Sequence, residues 1–102
     1  MLKAVVMYGP PTSVIAFERH FQDTHLPLAA KIPGVQRIEQ AKVVGTPDGS
    51  KPPYYRIAEL YVENEEALQA AMESPEGKAA MADIPNFASG GATVVVCAVE
   101  RT

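Results

Sequence analysis

The chain lacks most of the features that announce chemistry in a sequence. It has one cysteine, Cys97, among 102 residues, so it can form no internal disulfide, Cys-x-x-Cys metal carrier or cysteine-based zinc cluster. Lying in the most apolar strand with no neighbouring base, Cys97 reads as an inert core thiol, and a reducing cytoplasm suits it. Basic excess is missing too. Nine Lys and Arg against twelve Asp and Glu give a net charge of -3, which removes the footprint of a nucleic-acid or anionic-membrane binder. No apolar run approaches the roughly 20 residues that cross a bilayer. The opening run Leu2–Tyr8 stops at Gly9-Pro10-Pro11 without a small-residue cleavage site, so no export leader is expected. Phosphate-cradling loops are absent: Gly90-Gly91 precedes a strand instead of following one, and Gly9-Pro10-Pro11 has the wrong spacing. The expectation is a protein without a bound nucleotide or other cofactor, outside both nucleic acid and membrane.

The local signals that are present describe one α+β domain spanning residues 1–102. Residues 2–8 read as a first strand, broken by Gly-Pro-Pro. Thr12 or Ser13 caps the helix that follows, in which Val14, Phe17, Phe21 and Leu28 recur near helical spacing as one buried stripe. Pro27 lacks an amide, so that helix is expected to end or kink near Thr24 to Leu26, with a short extra turn through Lys31. Residues 35–44 form a polar strand suited to a sheet edge, and Gly45 to Pro53 is a long surface connection, either mobile or shaped around something. A third strand runs from Tyr54 to Val62. Asn64 caps the next helix, which turns Leu68, Ala71 and Met72 inward, and Ser74-Pro75 starts another that Pro85 stops. Met72 and Met81 read as core filler. Ala92 to Val99 is the last strand. The order β-α-β, β-α-β is that of a ferredoxin-like split with a four-stranded antiparallel sheet.

Two size arguments bear on assembly. A chain this short buries only about two-thirds of its unfolded surface, so a large private cavity is not expected. The last strand is apolar on both parities, Val94, Val96 and Ala98 on one and Val95, Cys97 and Val99 on the other. Four strands make a sheet roughly 19 Å wide, which two helices cover on one face. The other face needs a partner, and a second copy packed sheet to sheet about a two-fold axis supplies it.

The segment Phe17-Glu18-Arg19-His20-Phe21-Gln22-Asp23-Thr24-His25-Leu26-Pro27-Leu28-Ala29, then Ile32-Pro33-Gly34-Val35, resembles the EthD family of dimeric α+β barrels. So does the second half, through Tyr54–Val62, Glu66-Ala67-Leu68, Ser74-Pro75-Glu76-Gly77, Asp83 and Phe87. The resemblance implies a homodimer whose two sheets form a barrel, with a pocket between each sheet and its helices or loops. It also implies a small, apolar or aromatic ligand, because such proteins are associated with ether and aromatic degradation and with polyketide tailoring. Some relatives carry a reductase label, for which no dinucleotide fingerprint exists here. Related barrels include cofactor-free monooxygenases, cyclases and lactone isomerases.

His25 is the leading candidate for catalysis, since an imidazole on the inward stripe is placed to act as a general acid or base. A second reading has its ring nitrogen capping carbonyls freed by Pro27, and the family motif, in which the matching histidine recurs, keeps the functional reading level with it. Haem ligation through His25 is conceivable on this sequence but has no supporting motif. His20 reads as a solvated surface residue. Its spacing of five from His25, with no carboxylate pair close to either in the chain, gives no metal site. Tyr55, Ile57, Glu59 and Tyr61 share one strand parity, and Tyr54, Arg56, Ala58 and Leu60 the other. If the first set lines the inter-sheet space, then Tyr55, Glu59 and Tyr61, with Tyr8, supply hydrogen bonds to a ligand. The plainer alternative pairs Glu59 with Arg37 or Arg56 and packs the tyrosines as ordinary strand residues. At this level two functions stand side by side: a cofactor-independent catabolic enzyme working through His25, and a non-catalytic binding or accessory module of a degradation pathway.

Overall fold

Apolar-leaning residues up to the Gly-Pro-Pro break form β1 (Leu2–Tyr8), one of the two inner strands of the sheet. The computed structural model describes residues 1–102 and completes the sheet with β2 (Arg37–Lys42), β3 (Arg56–Val62) and β4 (Ala92–Ala98), in the order β2-β3-β1-β4. All pairs are antiparallel, with Tyr8 opposite Arg56 on one side and Ala92 on the other. This is the ferredoxin-like α+β topology. The polar β2 lies at an edge, where its unpaired backbone meets water.

The helices begin where their caps dictate. Ser13 Oγ accepts from the Ala16 amide at the start of α1 (Val14–His20), and Asn64 Oδ1 accepts from the Ala67 amide at the start of α3 (Glu65–Glu73). Ser74 Oγ does the same for α4 (Pro75–Asp83), which a short 3₁₀ turn over Ile84–Asn86 ends at Pro85. No helix is long and apolar enough to cross a membrane.

Pro27 does not end the first helix. The chain runs from α1 through a π-helical turn, Phe21–His25, into α2 (Leu26–Ala29). Leu26 donates five residues back to the Phe21 carbonyl, whereas Ala30 donates four back to Leu26. The proline's missing amide falls where the pattern changes. The wider turn also rotates the inward stripe, which becomes Phe17, Phe21, His25 and Ala29. Val14, expected on that stripe, is half-exposed, and Leu28 is only partly covered.

The helices cover β1 and β3, and the core sits beneath them. Val6, Tyr8, Phe17, Phe21, Ala58 and Phe87 form one buried cluster whose rings meet at 5.2–5.9 Å, Tyr8 edge to face on Phe17 and Phe21, and Phe17 stacked on Phe21. Gly9 and Gly90 cross backbone to backbone, where a Cβ on either would collide with the other loop. That crossing fixes the segment carrying Phe87 against the end of β1.

β4 is not buried on both faces within one chain. It lies at the other sheet edge with Val94 and Val95 each 39 % exposed and Val96 56 % exposed. Helices that reach only the middle strands leave it uncovered. Met72 and Met81, expected as core filler, are likewise half-exposed. The Gly45–Pro53 connection is exposed and tied at its tip, where the Asp48 carboxylate accepts from Ser50 and Thr46. Those hydrogen bonds, the Ser50 hydroxyl first, draw the Asp48 pKa down to about 2.

Candidate active site

Between the sheet and α2, α3 and α4 lies a cavity of about 70 Å³. Ala4, Val6, Ala58, Leu60 and Val62 floor it, and Leu68, Met72, Ala80 and Met81 wall it. Among its lining side chains, only the Tyr8 hydroxyl and the His25 imidazole carry oxygen or nitrogen. They meet at one end, with Tyr8 Oη 3.5 Å from His25 Nε2.

The π turn places His25 there, 6 % exposed. Its ring nitrogens are directed to side chains and not to the carbonyls near Pro27. Nδ1 lies 3.0 Å from Asp83 Oδ2, a residue 58 positions away at the end of α4. Asp83 also accepts from Asn86 Nδ2 at 3.1 Å and from His20 Nε2 at 2.8 and 3.0 Å. An ionised carboxylate is acceptor only, so the hydrogen-bond network assigns the proton to Nδ1 of His25 and the lone pair to Nε2, facing Tyr8 and the cavity. Phe87 packs against both histidines, 4.7 Å from His25 and stacked on His20 at 5.2 Å.

Burial sets the charges. Desolvation lowers the proton affinity of His25, and the Asp83 hydrogen bond and charge only partly restore it, so the imidazole is neutral at pH 7. Burial also opposes ionisation of Asp83, but donation from Asn86, His20 and His25 outweighs it and holds the carboxyl below its ordinary value. Tyr8 is pushed well above the usual phenol range, by desolvation first and then by the field of Asp83, so its hydroxyl keeps its proton. The arrangement is a neutral base and a phenolic donor at the end of an apolar chamber.

The other sequence candidates lie elsewhere. Tyr55 precedes β3, packs on Phe17 and donates to Glu18 Oε2 at 2.9 Å. Glu59 and Tyr61 point to the sheet face away from the helices. There Glu59 pairs with Lys3 at 2.7 Å, and not with Arg37 or Arg56. The Lys3 hydrogen bond draws the Glu59 pKa down. Tyr61 donates toward Glu39 and Glu59 under the Arg37 guanidinium. Arg56 faces the helices, buried, with Glu18 and Gln40 as acceptors and its guanidinium over the Phe21 ring. Burial works against the Glu18 charge, yet Arg56 and Tyr55 hold its pKa below normal. The sheet therefore separates Tyr8 and His25 from Glu59 and Tyr61, so the four do not share one pocket.

His20 is not a solvated surface histidine, since it is half-buried against Phe87 and Asp83. Asp83 entered the sequence reading only as one of the residues that carry the resemblance, without a role at the site. Its signal was an acid in line with Gly77 and Ala80, the small inward stripe of α4.

Comparison with known proteins agrees with this architecture. The EthD domain model matches residues 9–91. An uncharacterised 11.0 kDa protein from the thcB–thcC intergenic region of Rhodococcus erythropolis is 39 % identical over 95 residues, 93 % of this chain and 91 % of that protein. Among solved structures, an EthD family protein from Bacillus halodurans superposes with a TM-score of 0.93 at 35 % identity, over 98 % of this chain and 99 % of that one. A dimeric ferredoxin-like protein of unknown function from Thermobifida fusca gives 0.71 at 17 % identity, over 96 % and 90 %. SnoaB, a cofactor-independent oxygenase from Streptomyces nogalater, gives 0.71 at 15 %, over 99 % and 94 %. At those last two identities the likeness is one of fold.

Proposed function

The chain belongs to the EthD family, and on that premise we propose that it is a homodimeric, cofactor-independent enzyme that moves a proton on a small hydrophobic or aromatic metabolite, with His25 as the base. The observation that carries this reading is the Asp83–His25 pair, buried beside a cavity whose other polar group is Tyr8. A ligand presents an acidic C–H or O–H to Nε2. The proton passes to the imidazole while the bond's electron pair stays on the ligand. Asp83 balances the imidazolium, and Tyr8 donates to the oxygen on which negative charge develops. Return of the proton to the same or another ligand atom restores neutral His25.

A volume of about 70 Å³ is small against the roughly 300–1,000 Å³ of drug-sized sites. Larger ligands enter if Met72 and Met81, flexible and half-exposed, swing aside. That small volume also favours a second reading, a non-catalytic binding or accessory module for a compact apolar ligand. The homodimer reading is supported by the sheet face opposite the helices, which carries Val5, Met7, Ile57, Val95 and Cys97 beside the Lys3–Glu59–Tyr61 cluster. One domain per chain and a reducing cytoplasm, suited to the single thiol, complete the reading.

The test is deuterium uptake from heavy water at the carbon alpha to the carbonyl in a panel of aryl ketones, followed by NMR. Wild-type protein exchanges one of them catalytically. His25→Asn retains ligand binding and loses roughly a hundredfold to ten-thousandfold in exchange rate. Exchange by His25→Asn at the wild-type rate would defeat the catalytic reading and leave the binding module.

A further inference from the structure

We propose that His20 is a positioning residue for His25, acting through the Asp83 carboxylate; the inference rests on the proton-transfer reading of His25. A carboxylate held by one donor is free to rotate about its final bond. Asp83 is held by three. His20 Nε2 reaches both of its oxygens, at 2.8 and 3.0 Å, and Asn86 reaches Oδ1 at 3.1 Å. Together they fix the carboxylate plane so that Oδ2 faces His25 Nδ1, 3.0 Å away. His20 is itself fixed, because its ring stacks on Phe87 with an interplanar angle of 18°.

The two histidines therefore hold opposite sides of one buried acid and face different surroundings. His25 borders the apolar cavity. His20, with 30 % of its side chain exposed, borders an outward groove of about 320 Å³ shared with Thr12, Ser13, Asn86 and Ser89. The polar and charged groups around this pair are Asp83 from α4, Asn86 from the 3₁₀ turn and Tyr8 from β1, with Arg56 of β3 acting on Tyr8. Positive charge on the His20 ring opposes positive charge on His25 across the carboxylate they share. The state of a partly exposed ring thus reaches the cavity base without water entering the cavity.

The experiment is histidine tautomer assignment by long-range ¹H–¹⁵N correlation on the intact, ¹⁵N-histidine-labelled protein. Wild type shows His25 in the Nδ1–H form. His20→Phe keeps a ring on Phe87 but removes the donor, and lowers the ratio of Nδ1–H to Nε2–H at His25 by about tenfold. His20→Gln, which retains an N–H donor at the matching reach, restores the ratio. An unchanged ratio in His20→Phe, or no recovery in His20→Gln, overturns the proposal. Should His20→Phe not fold, wild-type protein carries the test: the His25 ¹⁵N shifts must show a second inflection coincident with protonation of His20, and its absence overturns the coupling. If His25→Asn exchanges ketones normally, the catalytic reading falls while the tautomer result stands. If the tautomer ignores His20 but His25→Asn is inactive, this proposal falls alone.

Discussion

Replacing Asp83 by Asn changes one atom of the buried network and tests the logic of the site most directly. The carboxylate accepts from His20, His25 and Asn86. An amide of the same shape has one accepting oxygen and an NH₂ that must face a donor, so at least one imidazole loses its partner or changes tautomer. Hydrogen bonds to a charged group contribute about 1.5–3 kcal/mol each. Losing one and weakening the rest destabilises by about 2–3 kcal/mol, roughly 10–20 °C in melting temperature for a chain this short. The rate falls by more than stability suggests. With Nδ1 no longer held as the donor, His25 shifts toward the Nε2–H form, which has no lone pair to offer the ligand, and ketone exchange drops by roughly a hundredfold to ten-thousandfold. The acid limb of the remaining rate moves to lower pH, because an imidazolium without its counter-ion is less stable. Scanning calorimetry reads the first effect and heavy-water exchange across pH reads the second. An Asp83→Asn protein that folds, dimerises and exchanges at the wild-type rate would refute the path from carboxylate to tautomer to base.

Two further outcomes follow from burial and charge. Because His25 binds its proton more weakly in the folded protein than the value of about 6.5 expected when unfolded, the unfolded chain takes up a proton first as pH falls. Melting temperature should therefore decline from about pH 6.5 downward through the folded His25 value, and His25→Asn should flatten that limb in a thermal-shift series. A later decline, in the carboxylate range, belongs to Asp83, Glu18 and Glu59, whose lowered values stabilise the fold at neutral pH and cease to do so in acid. For assembly, Val95→Asp on the open sheet face should dissociate or unfold the protein in light scattering, since burying an unpaired charge costs several kcal/mol. Val44→Asp, at a 98 % exposed loop position, should change nothing, and a Val95→Asp dimer of wild-type affinity would remove the sheet-to-sheet interface.

The sequence by itself determined the elements whose signals are local. Ser13, Asn64 and Ser74-Pro75 start their helices because an oxygen two or three residues from a free amide caps it wherever the chain later folds. Gly9-Pro10-Pro11 stops the first strand and Pro85 the last helix for equally local reasons, and the strand order follows from two βαβ units. It brought out His25 through its place near an inward stripe and through the Thr-His-Leu-Pro-Leu resemblance. Tertiary structure decided the rest. Pro27 is expected to end or kink the helix near Thr24 to Leu26 before a short extra turn. The break takes the form of a π turn that rotates the stripe and carries the chain on into α2, a choice made by packing of Phe21, His25 and Ala29 beneath the sheet. The partner of Glu59 is Lys3 because the β1–β3 register sets Lys3 against Tyr61 and Val5 against Glu59, bringing both charges to the open face. Strand parity cannot say which set faces the helices until the helices are placed. Asp83 reaches His20 and His25 across about 60 residues of chain only because α4 folds back over the sheet. No local pattern encodes a contact between segments so far apart, and it is that contact which gives His25 its tautomer.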